Sequence, residues 1–163
     1  LDDIVPQLRE FPDYQFFVYQ PVPAAYSEGH IHVRPFSRDG FQMDLHRCEG
    51  VICSAGFELP SEAIFLGKKI LVQPVAGQME QKSNALALEK LGYGYATKRF
   101  DVEALRKWLP LPPPTKPHNY PDVAKALVNW LVKGGGNDIR DLQQQLWQET
   151  IELSATGPEV FAK

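Results

Sequence analysis

Residues 50–84 read GVICSAGFELPSEAIFLGKKILVQPVAGQMEQKSN. Two short apolar runs, Val51-Ile52-Cys53 and Ile70-Leu71-Val72, each lead into a loop and then a helical pattern. Apolar runs of this length bounded by turn signals read as strands buried on both faces. Each strand is followed by a helix, so the pair should lie parallel, with both loops at the sheet's carboxyl edge. That edge is where open α/β sheets bind ligands.

The same alternation continues on both sides. Residues 2–10 read as a helix, with Asp2 and Asp3 at its positive end, Pro6 in its first turn and Ile4, Leu8 and Phe11 on one face. Gln15–Tyr19 is an aromatic, β-branched strand, and 21–29 is a loop rich in breakers. Ile31–Arg34 is a strand stopped by Pro35. A helix opened by Ser37 runs to Arg47. Helices are expected from Glu58 or Leu59 to Leu66, closed by Gly67, and from Gln78 to Leu91, closed by Gly92. A strand over 93–96 and a helix capped by Asp101 and ending at Trp108 complete the pattern. The implied class is α/β, a doubly wound Rossmann-like parallel sheet with helices on both faces. Residues 1–108 form this domain, 109–121 a proline-rich linker stretched by polyproline II preference, and 122–163 two C-terminal helices hinged at Gly134, Gly135 and Gly136. Val123, Leu127, Trp130 and Leu131 mark the apolar face of the first, and Ile139, Leu142, Leu146 and Leu153 that of the second. The Trp130 and Trp147 faces are expected to pack rather than to bind sugar.

At 163 residues the chain can bury a substantial core. With 44% hydrophobic and 23% charged residues, disorder and a membrane span are both disfavoured. A formal charge of -3 argues against a nucleic-acid partner. Cys48 and Cys53, without a histidine at metal-ligand spacing, read as a reduced structural pair in a cytosolic protein. His30 and His32 share a strand face but lack a third ligand; His46 reads as a helix-surface residue, and His118 falls in the linker. Leu1 stands inside a helical pattern, with neither an initiator Met nor a signal sequence, so a fragment or processed chain is expected.

Three features of residues 50–84 could carry chemistry. Ser54-Ala55-Gly56-Phe57 has the small residues and helix-start amides that suit a phosphate. Glu62, one turn into the next helix, is at the reach of ribose hydroxyls. Gln78, Glu80 and Gln81 gather amides and a carboxylate at the start of the following helix, as sugar hydroxyls require. Each also has a plainer reading, as a turn, a solvated glutamate or helix caps.

The ordered set Gly56, Glu62-Ala63, Gly67-Lys68-Lys69, Pro74, Glu80-Gln81 and Asn84-Ala85 resembles the donor-site signature of GT-B glycosyltransferases. It looks most like the UDP-glucuronosyltransferases and the peptidoglycan lipid II N-acetylglucosaminyltransferases, and extends more weakly over residues 1–108. The resemblance implies the C-terminal, donor-binding half of such an enzyme, with a UDP-sugar as donor and no covalent cofactor. Ser54, Ala55, Gly56 and Phe57 would face the diphosphate, and Glu62 would hold the ribose. Gln78, Glu80 and Gln81 would face the sugar, while Arg34, Pro35 and Phe36 would cradle the base. Two departures stand out: Ser54 replaces a histidine or arginine, and Glu58-Leu59 replace small polar residues.

A hexosyl transfer to an unnamed acceptor is therefore expected of the full-length protein. The general base would come from a missing N-terminal half, and the family's first strand of the C-terminal half would precede Leu1. The chain alone would transfer nothing. The rival expectation is a non-catalytic donor-binding or docking subunit, active only with a partner chain. A sugar-nucleotide 2-epimerase shares the fold, but its Ser-Gly-Gly and Gln-Glu-Glu patterns are absent. The expected location is cytoplasmic, with peripheral membrane association of the full protein left open.

Overall fold

Leu71 points into one apolar cluster and its neighbours Ile70 and Val72 into another, so their strand is buried on both faces. This two-sided burial explains the uninterrupted apolar run. The structure is a computed structural model and describes residues 4–114, 121–135 and 138–155, the side chains of 151–155 excepted. The expectations for Asp2, Asp3, His118, linker residues 115–120, Gly136 and the Leu153 side chain lie outside the described residues.

The elements are α1 (Val5–Leu8), β1 (Phe16–Tyr19), β2 (Tyr26–Glu28), β3 (Ile31–Arg34), α2 (Arg38–Arg47), β4 (Gly50–Ser54), α3 (Glu58–Phe65), β5 (Lys69–Gln73), α4 (Met79–Leu91), β6 (Tyr95–Ala96), α5 (Val102–Trp108), α6 (Val123–Val132) and α7 (Ile139–Ala155). They fall into two compact units, Leu1–Pro114 and Thr115–Lys163.

In the first unit, β4, β5 and β6 form an all-parallel sheet in that order, with Ser54 opposite Gln73. The β4 and β5 loops are thus neighbours at the carboxyl edge. Ala63 from α3 and Ala85 and Leu88 from α4 meet Cys53, Ile70 and Val72 on one side. Val5 and Leu8 from α1 and Leu105 and Trp108 from α5 join Leu71 on the other. Burying each such large side chain is worth about 1.5–3 kcal/mol. The helix ends follow the expected chemistry. Gly67 (φ 66°) and Gly92 (φ 74°) take the left-handed conformation, and the following amides of Lys68 and Tyr93 return to Ala63 O and Leu88 O. Ser37 Oγ accepts from the Gly40 amide, and Asp101 Oδ1 from the Ala104 amide.

The remaining strands correct the expectation of a single parallel sheet. They form a second, mixed sheet in the order β1-β3-β2, with β1 parallel and β2 antiparallel to β3. Residues 26–28, read above as loop, are a strand. All three are exposed, so no apolar alternation marks them. Their conformation comes from pairing with β3 across the turn at Gly29-His30. The core nevertheless runs across both sheets, since Phe16, Ile31 and Val33 share a cluster with Leu71. Between the sheets is a cleft of about 240 Å³, lined by consecutive residues of β1 (Phe16–Tyr19) and of β4 (Gly50–Ile52). Consecutive rather than alternate residues mean that it meets strand edges, not strand faces.

In the second unit, α6 and α7 enclose an apolar groove lined by Val123, Leu127, Ile139, Leu142, Leu146 and Trp147. The Trp130 ring lies over Gly135, whose φ of 59° suits the turn between them. No helix among the described residues is long and apolar enough to cross a membrane.

Candidate functional site

The first loop leaves the buried end of β4. Ala55 is fully buried and fixes the path of the chain, while Gly56 stands in open space where an added Cβ would touch nothing within 4 Å. Phe57 occupies the N-cap position of α3, its ring exposed and no side chain capping the helix. The Glu58 and Leu59 amides, in the first turn of α3, have no intrahelical acceptor, and Pro60 has no amide to offer. Donors of this kind, at the positive end of a helix dipole, attract an anion. Ser61 turns inward along its own helix, its Oγ donating to Phe57 O at 2.6 Å. Glu62 is exposed on α3, about 6 Å along the axis from Glu58. Glu58 is exposed as well and occupies the first turn, where a carboxylate suits the dipole but competes with a phosphate for the same field.

The second loop is stapled by its own helix. Gln81 Oε1 accepts from the Val75 amide at 3.0 Å, and Gln81 Nε2 donates to Gln78 Oε1 at 2.7 Å. The Gln78 amide in turn donates to Val75 O. Gln81 and Gln78 therefore shape the loop as well as line it. Glu80 is exposed beside them.

A residue to which the sequence reading gave no role ties α4 to the first loop. Asn84, three positions after Gln81 on α4, donates from Nδ2 to Ala55 O at 3.1 Å. Asparagine is a weak helix former, so one inside a helix between Gln81 and buried Ala85 was a readable signal of a side-chain bond.

Arg34 and Phe36 occupy the end of β3 and the segment after it. The Arg34 guanidinium is engaged: it pairs with Asp44, donates to Tyr19 Oη at 3.4 Å and lies over the Phe17 ring. Among the described residues no hydrogen bond or ion pair joins Arg34 or Phe36 to either loop. The histidines of β3 and its approach are tied into local bonds. His30 Nε2 bonds with Leu8 O, and the two His32 nitrogens bond with Ser27 Oγ and Gln15 Oε1. His46 is exposed on α2, its Nδ1 bonded to Gln42 O. No group of three or more metal-binding side chains occurs among the described residues. Both cysteines are free thiols.

Residues 2–112 match the family model of glycosyl transferase family 1. The chain belongs to glycosyl transferase family 1. The matched span contains both sheets and both loops, and the β4–β6 sheet with its helices is the Rossmann-like half of a GT-B fold. Glycosyl transfer is the chemistry of this family-1 domain. No curated protein and no solved structure matches the chain.

Proposed function

We propose that this glycosyltransferase domain is the donor half of the enzyme and binds a UDP-sugar along the carboxyl ends of β4 and β5. The observation that carries the reading is the open space at Gly56 beside the uncapped Glu58 and Leu59 amides. A diphosphate needs that close backbone approach and those donors.

The division of labour follows the chain. Ser54, Ala55, Gly56 and Phe57 face the diphosphate, chiefly through backbone amides. Glu62 accepts bonds from the ribose hydroxyls. Gln78, Glu80 and Gln81 face the hexose, with the internal Gln81–Gln78 bond holding their loop in shape. The Arg34 side chain is committed to Asp44, so at 34–36 the base meets backbone and the exposed Phe36 ring. In the reaction an acceptor hydroxyl attacks the anomeric carbon and the bond to the diphosphate oxygen breaks. Fixed amide dipoles stabilise the charge that develops on the leaving group. The base that takes the acceptor proton belongs to an N-terminal half, so this chain binds donor weakly and transfers nothing alone. Peripheral association of the full protein with a membrane remains part of this proposal.

Titration calorimetry of the 163-residue chain with UDP tests the reading. Weak saturable binding is expected, tightened several-fold by Glu58→Ser, which removes a carboxylate from the phosphate's field. Amide shifts confined to residues outside 54–62 and 78–81 would refute the site, and transfer by the isolated chain would refute the division into halves.

A further inference from the structure

We infer that Asn84 is a positioning residue that aims the Gly56 amide at the donor phosphate. The inference rests on the proposed diphosphate site and adds to it a residue and a device. Asn84 Nδ2 holds Ala55 O at 3.1 Å. A trans peptide is planar, with its C=O and N–H directed oppositely. Holding the Ala55 carbonyl toward α4 therefore turns the Gly56 N–H away from α4. A Cβ built at Gly56 would meet nothing within 4 Å, so a ligand can approach the backbone closely on that side. Ala55 is fully buried, so packing around its side chain also restrains the plane.

The same helix face sets the other loop. Gln81, three residues before Asn84, holds the Val75 amide. Residues three apart on a helix are neighbours, so one short stretch of α4 fixes both loops relative to each other. The phosphate and sugar subsites are thereby kept in register without either bond touching the donor. Loss of Asn84 frees the Ala55–Gly56 plane and weakens the phosphate contact, leaving nucleoside contacts in place.

The experiment compares UDP with uridine on the 163-residue chain and its Asn84→Asp and Asn84→Ala variants by amide NMR. Aspartate keeps the shape but removes the N–H donors and turns an acceptor on the carbonyl. Expected are a displaced Gly56 amide signal in both free variants, about tenfold weaker UDP binding, and unchanged uridine binding. A general loss of structure would weaken both ligands and collapse the β4 and β5 amide signals; that outcome, or an unmoved Gly56 signal, overturns the positioning role. Wild-type chain that binds UDP at these loops while both variants bind it equally well overturns the inference alone. Wild-type chain that binds no UDP overturns the donor-site reading and the inference with it.

Discussion

Arg34 and Tyr19 both direct a donor at one oxygen of Asp44: the Arg34 Nη1 ion pair and the Tyr19 hydroxyl, at 2.7 Å, share Oδ2. The Asp44 side chain is only 12% exposed, so these two donors replace water around its carboxylate. Arg34→Ala should cost about 1–2 kcal/mol, the guanidinium being partly solvent-screened. Chemical denaturation of wild type and variant measures this. Tyr19 adds a pH signature. Burial, and next the bond to Asp44, push its phenol above its ordinary value of 10.0. The neutral phenol's contribution to stability is complete below pH 10 and disappears as pH rises through the raised folded value. Absorbance near 295 nm should show one tyrosine ionising late in the folded chain, and earlier in Asp44→Asn.

Gly50 and Gly56 should respond oppositely to alanine. A Cβ at Gly50 would lie 2.5 Å from Lys69 Cγ and 2.9 Å from both Lys69 O and Trp108. Gly50→Ala must displace backbone or the ring, at about 1–3 kcal/mol. Gly56→Ala meets nothing within 4 Å and should melt like wild type. Its methyl group instead occupies space that a diphosphate needs, so UDP binding should fall at least tenfold. Thermal melts and calorimetry separate the two effects, and equal UDP affinity in Gly56→Ala would count against close phosphate approach there.

Lys69 is buried although charged, and its Nζ donates to Leu109 O and to Leu111 O at 3.2 Å. The ammonium also lies 5.2 Å from the Trp108 ring centre. It thus ties β5 to the chain leaving α5. Lys69→Met keeps the bulk but strands two carbonyls, and should cost roughly 1–3 kcal/mol. Urea unfolding followed by tryptophan fluorescence reads it out. Lys68, next in sequence, is only half-buried and reaches His46 O. Its substitution by Met should be nearly neutral.

The two thiols should differ in reactivity. Burial pushes Cys53 up to about 12, and Cys48 upward to a lesser extent. At pH 8 only about one Cys53 in ten thousand is thiolate. Ellman's reagent should therefore label Cys48 slowly and Cys53 only after denaturation. The contribution to stability from a neutral Cys53 is present at neutral pH and is lost as pH climbs through its folded value. Rapid labelling of both thiols in the folded chain would contradict the burial of β4.

Local chemistry in the sequence was enough to determine β4, β5, the helices after them and the glycines that end those helices. Buried parallel strands need apolar residues on both faces, and a helix end needs a residue that tolerates positive φ, so Ile70–Val72, Gly67 and Gly92 announce their roles. Only the tertiary structure decided that residues 26–28 form a strand, because an exposed strand takes its identity from its partner. The same holds for the separate mixed sheet and for the capture of Arg34 by Asp44. It holds also for the Asn84–Ala55 bond, which joins positions 29 residues apart. A bond across that separation leaves no periodicity; it exists only once packing has brought α4 against the β4 loop.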